Sequence, residues 1–132
     1  TLQTYSSKGT WSSYSMELAQ TPPISGPIAG ITRASIKWHK ASQFWSKAPP
    51  AEESLINAQG CLLAAGLGEA PYLRQATFTM WESQSAMDSY AKSGAHLEAI
   101  KSAYQGEFFS ESMFTRFIPI NPSGIWRGKH YA

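Results

Sequence analysis

The stretch from Cys61 to Glu82, CLLAAGLGEAPYLRQATFTMWE, constrains this chain more than any other. From Leu73 its side chains alternate. Ala76, Phe78 and Met80 fall on one face, and Gln75, Thr77, Thr79 and Trp81 on the other, the two-residue period of a half-buried strand. Before it, Leu62 to Ala65 form an apolar run, and Gly66-Leu67-Gly68-Glu69-Ala70-Pro71 is rich in turn formers. The reading is a hairpin of two strands joined at Gly66–Pro71. Its Gln/Thr/Trp face is semi-polar, which points to a lined cavity or an interface on that side.

The remaining segments supply what such a hairpin needs. Ile28 to Trp38 alternates, with Thr32, Ala34, Ile36 and Trp38 on one face and Ile31, Arg33, Ser35 and Lys37 on the other, and reads as a strand. Lys40 to Lys47, carrying Phe44 and Trp45, and PAEESLINAQG after Pro49 read as a helix broken in two. Ser83 or Ser85 can cap a second helix, with Asp88 as box partner of Ser85. Its stripe runs through Met87, Tyr90 and Ala91 to Leu97, Ile100 and Tyr104, with a break at Gly94 and an end at Gly106. Ser112 to Ile120 is the last strand, with Pro119 at its end. The order is strand, helix, strand, strand, helix, strand. That is an α+β, ferredoxin-like βαββαβ unit. Its helices cover one sheet face, so the other must be buried against something, and a pair of such units closes a dimeric α/β barrel around a cavity. The unit occupies 28–120. Residues 1–27 form an arm with a short strand near Thr10–Leu18 and a Pro-rich linker laid on the body, and 121–132 an aromatic tail.

Composition narrows the function. At 132 residues and 14.5 kDa the chain suits one core. A net charge of +2 without a Lys/Arg cluster argues against nucleic acid. Charged residues make up only 15%, which leaves surface for a partner or a second unit. The lone Cys61 cannot form an internal disulfide and suits a reducing, cytoplasmic setting. It opens a buried strand and reads as a small core residue. No apolar run approaches the ~18 residues of a transmembrane helix. Opening at TLQTYSSKG without Met, the chain reads as a processed or partial piece of something longer.

No hydrolase, zinc, P-loop or dinucleotide motif is present. Glu52 and Glu53 look like a solvated helix start, and Glu107 and Glu111 a solvated helix exit. His39 and His130 read as surface residues. His96 stands on or beside the helix stripe just after Gly94, as a satisfied structural histidine or as a ligand, and neutral imidazole on a helix suits haem iron. Arg33, Arg74 and Arg116 sit at strand positions where an unpaired charge is costly. They either pair with carboxylates or face a polar cavity. Trp45 and Trp81 read as core or interface aromatics.

The block GLGEAPYLRQATFTMWESQSAMDSYAKSGAHLEAIKSAYQGEFFSESMFTRF, with ITRASI and FW before it and GIWRG after it, resembles the carboxyl-terminal half of the spheroidene monooxygenase family. The resemblance implies a dimeric α/β barrel, a haem (heme) cofactor and insertion of oxygen into a carotenoid. It implies that His96, in a Gly-x-His element, ligates the iron, and that Arg33 and Arg74 serve propionates or the cavity. On that reading Phe78, Met80 and Phe117 line an apolar substrate pocket. Family members carry an upstream half of similar fold that is missing here, so a second ferredoxin-like half, from the same or another chain, is the expected partner, with a hydrophobic small molecule. Two rivals remain open: a cofactor-free monooxygenase of the antibiotic-biosynthesis type, and a non-catalytic binding or assembly domain docking through its open sheet.

Overall fold

The computed structural model describes residues 1–19, 21, 23, 25–43, 45–46, 53, 55, 57–69, 73–92, 108–126 and 128–131. Five strands form one antiparallel sheet: β1 (Leu2–Gly9), β2 (Ile28–Ile36), β3 (Cys61–Glu69), β4 (Arg74–Trp81) and β5 (Phe109–Pro119). They lie in the order β1-β5-β2-β4-β3. A helix, α1 (Gln84–Ala91), follows β4. Residues 41–43 and 45–46 are helical. The central β5-β2-β4-β3 order with helical crossovers is the ferredoxin-like α+β arrangement expected, with β1 added at the edge.

Several local expectations change. The edge strand is Leu2–Gly9, and within Thr10–Leu18 only the pair Trp11–Tyr14 is bridged. Strand β2 ends at Ile36; Trp38 starts a 3-10 turn and is exposed. Gly66, Leu67 and Gly68 are not a turn but part of β3, paired with Thr77, Ala76 and Gln75. The tail folds into a hairpin of β6 (Gly124–Trp126) and β7 (Lys129–Tyr131). Ser83 caps α1 by accepting from the Ala86 N–H at 3.1 Å. Asp88 is not a box partner; its carboxylate pairs with Arg116 of β5 at 2.7 Å. The expected stripe beyond Ala91, with Gly94, Leu97, Ile100, Tyr104 and Gly106, lies outside the described residues.

Residues opposite one another on neighbouring strands share a face, so the ladders assign every strand position. The helix face carries Ile28, Trp81, Cys61, Ile118 and Phe114, and Tyr5 joins them where β1 slips register between Thr4 and Ser6. Met87 of α1 packs into this cluster, and Trp81 is 1% exposed. Gly30 lies beneath Met87: a Cβ there would stand 2.5 Å from the Met87 methyl. The absent side chain leaves room for the flexible end of Met87 between helix and sheet. The Gln/Thr/Trp face of β4 is therefore the helix side. The expected cavity or interface on that side gives way to a core, and Trp81 is a core residue.

Candidate functional site

The opposite face carries the second apolar cluster: Ala29, Met80 and Phe117, with Ile31, Leu62, Leu63 and Phe78 packed against them. The ladders run Phe117–Ala29–Met80–Leu63 across the sheet in one row and Thr115–Ile31–Phe78–Ala65 in the next. Phe78, Met80 and Phe117 thus lie on one face, brought there by the alternation of β4 and β5. Thr115, fully buried in this surface, is satisfied by the Ser7 hydroxyl at 3.0 Å.

This face is not bare, as it would be in an isolated unit. At one end the segment Asn121–Ile125 borders a half-open cavity of about 400 Å³, whose other side is Thr1, Leu2, Leu63, Phe78, Met80 and Pro119. That volume lies in the ~300–1,000 Å³ range of small-ligand pockets. Among the described residues no charged side chain lines it. Ile125 stands at its edge, 64% exposed. Phe117 belongs to the same apolar cluster as Met80, with Ala29 between them, and is not part of the cavity lining.

The other end is charged. Arg33 faces Ala76 and Met113, and Arg74 faces Ser35, all on the apolar face. Six residue steps along β4 separate Met80 from Arg74, about 20 Å at ~3.3 Å per residue. Arg33 is covered by Trp11, its guanidinium carbon 3.9 Å from the ring centroid. Arg74 is exposed, and its charge helps lower the Glu111 pKa. Arg116 lies on the helix face, in its ion pair with Asp88, and takes no part in this surface.

Glu111 corrects an expectation. It lies within β5, and its carboxylate accepts from the Thr10 hydroxyl (2.8 Å) and from the Ser12 and Ser13 amides (2.8 and 3.0 Å). These bonds, with that of Ser13 strongest, hold its pKa below the ordinary glutamate range. They fasten the Trp11–Tyr14 turn over the Arg33 end. Sequence reasoning missed this latch because its partners are remote along the chain.

The other candidates separate. Cys61 packs against the helix-side core, where burial pushes its thiol pKa up, the opposite of an activated nucleophile. His39 is exposed against Trp38, with ring centroids 5.6 Å apart. His130 is exposed on β7, directly across the ladder from Ile125. Trp45 is half-buried and Glu53 exposed. His96, Glu52 and Glu107 lie outside the described residues. Among the described residues no group of His, Cys, Asp and Glu side chains is arranged to hold a metal ion, and no helix is long and apolar enough to cross a membrane.

A ferredoxin-like sheet with an apolar face, cavity-bearing and opposed to its helices, defines the class of the molecule, and solved structures agree. SnoaB, a cofactor-independent oxygenase from Streptomyces nogalater, is 12% identical with a TM-score of 0.61, covering 74% of this chain and 96% of its own. A candidate antibiotic biosynthesis monooxygenase from Nitrosomonas europaea is 16% identical with a TM-score of 0.66, covering 76% and 96%. At these identities the likeness is one of fold.

Sequence goes further. The chain is 50% identical over 127 residues to the spheroidene monooxygenase of Rubrivivax gelatinosus, covering 96% of this chain and 49% of that protein. It is 34% identical over 132 residues to the spheroidene monooxygenase of Rhodobacter capsulatus, covering 97% and 55%. It is a homologue of the spheroidene monooxygenases that spans about half the length of these relatives. No protein-family model matches it.

Proposed function

We propose that the chain is one half of a monooxygenase barrel that oxidises a hydrophobic, carotenoid-like molecule held against the Phe78–Met80 face. The observation that carries this reading is a cavity floored by Leu63, Phe78 and Met80 on the helix-free side of the sheet, in a chain 50% identical to a spheroidene monooxygenase. Phe78, Met80 and Leu63 hold the apolar body by contact area alone and keep water from the reacting carbon. A second ferredoxin-like unit, from another copy or from the remaining half of a longer protein, closes the barrel over Leu67, which is 60% exposed on the same face. The single, half-buried thiol suits a reducing, cytoplasmic setting.

Haem belongs to the same proposal. The face offers part of what that group needs: a broad apolar floor and, at its far end, the exposed guanidinium of Arg74 for a propionate, with Arg33 beside it beneath Trp11. His96 would hold the iron. Bound there, haem would supply oxygen activation, while the residues of this chain exclude water and orient the substrate. Adding haemin to the purified chain is expected to give a Soret band, which His96→Ala abolishes and His130→Ala leaves intact. A chain that yields no band ends the haem reading. Oxygen uptake with a polyene substrate would then point to a cofactor-free oxygenase.

A further inference from the structure

Resting on the reading of the cavity as the ligand site, we infer that Ile125 determines which apolar molecules enter it, and that the segment carrying Ile125 is a hinged mouth. The two sides of the cavity are built differently. Leu63, Phe78 and Met80 belong to strands β3 and β4, and β4 is laddered on both edges, so that wall is fixed. The chain stays held just past the end of β5, where the Ile120 N–H donates to the Thr1 carbonyl at 2.7 Å.

Immediately beyond, the regular backbone stops. Asn121 has φ 48° and Gly124 has φ 139°, with Pro122 between them. A Cβ added at Gly124 would meet nothing within 4 Å. Glycine is there for its backbone conformation and not for space. These are the positions where a short segment can swing while the strand before it stays still.

Ile125 then lines the cavity while remaining 64% exposed. Its aliphatic side chain has everything to gain from being covered, and an elongated apolar molecule lying on Phe78 and Met80 would cover it. Of the polar residues lining the cavity, Asn121 and Ser123 come from the same segment and are neutral, and Thr1 precedes β1. The ligand class that Leu63, Phe78, Met80 and Ile125 suit is an apolar molecule that tolerates a polar atom at the tail end.

The test uses the full 132-residue chain and two fluorescent hydrocarbons, slender diphenylhexatriene and broad, flat perylene. Ile125→Ala is expected to raise perylene affinity relative to diphenylhexatriene by about tenfold. Gly124→Ala, which adds a methyl to the lining and forces a side chain into a glycine conformation (φ 139°) beside Ile125, is expected to shift the ratio the same way. Ile125→Trp is expected to exclude both probes. Leu63→Trp fills the cavity from the fixed wall and serves as the control, with circular-dichroism melts confirming that each variant folds. Loss of binding in Leu63→Trp with unchanged affinities in all tail variants overturns the gate and leaves the cavity reading standing. Unchanged binding in Leu63→Trp overturns the cavity reading, and the gate with it.

Discussion

Glu111 is the residue on which most local chemistry converges, and none of it is local in sequence. Thr10, Ser12 and Ser13 lie 98 to 101 positions away. Ser12 and Ser13 have φ of 52° and 66°, a left-handed conformation that costs a non-glycine residue ~1–2 kcal/mol. A carboxylate accepting both amides offsets that strain and holds Trp11 over Arg33. Because the folded pKa of Glu111 is depressed, its contribution is complete above the ordinary glutamate range and disappears as pH falls through the lower folded value. The Trp11 indole NMR resonance should therefore move to its unstacked position in acid, and Glu111→Gln should show that position already at pH 7. An indole signal indifferent to both changes would contradict the latch. From sequence Glu111 was one acidic residue near a helix exit, since only the β1–β5 and β2–β5 ladders bring it to the arm. Arg116 was more legible: a charge at a strand position needed a carboxylate, and Asp88 supplies it.

At the level of elements, alternation told the truth about faces and composition misled about turns. The two-residue period from Gln75 to Trp81 assigns each side chain to the side it occupies. Gly66 and Gly68 suggested a turn, yet neither has a positive φ, and extended backbone accepts any residue. What alternation cannot say is which face the helices choose. That is decided by Met87, which needs the gap at Gly30. Gly30→Ala should destabilise the fold by about 1 kcal/mol, the low end for overpacking, because the flexible end of Met87 can shift, measured by urea denaturation. In a Met87→Ala background the same change should cost close to nothing, because the two positions share one space. Strictly additive effects would mean that α1 is not seated through this pair.

For the whole molecule, the question is which side of the sheet does the work. The order of elements was enough to deduce the ferredoxin-like unit and a helix-free face in need of cover. It could not reveal that Trp11 and the Asn121–Ile125 segment already cover parts of that face, since a tail has no periodicity to betray where it lies. Alternation alone put a cavity on the Gln/Thr/Trp side, because Trp81 looked as fit for one as Phe78, whereas the resemblance named Phe78, Met80 and Phe117, which share the helix-free face. The four methionines report on this directly: Met80 lines the cavity, Met113 lies on the same face, Met87 is buried beneath α1 on the other, and Met16 is on the arm. The decisive measurement is a carbon-13 methyl-methionine NMR spectrum recorded while diphenylhexatriene is added. The Met80 signal should shift and Met87 should stay in place, separated from the ligand by the thickness of the sheet. A spectrum in which Met87 moves and Met80 does not, or in which no methionine responds, would contradict the account.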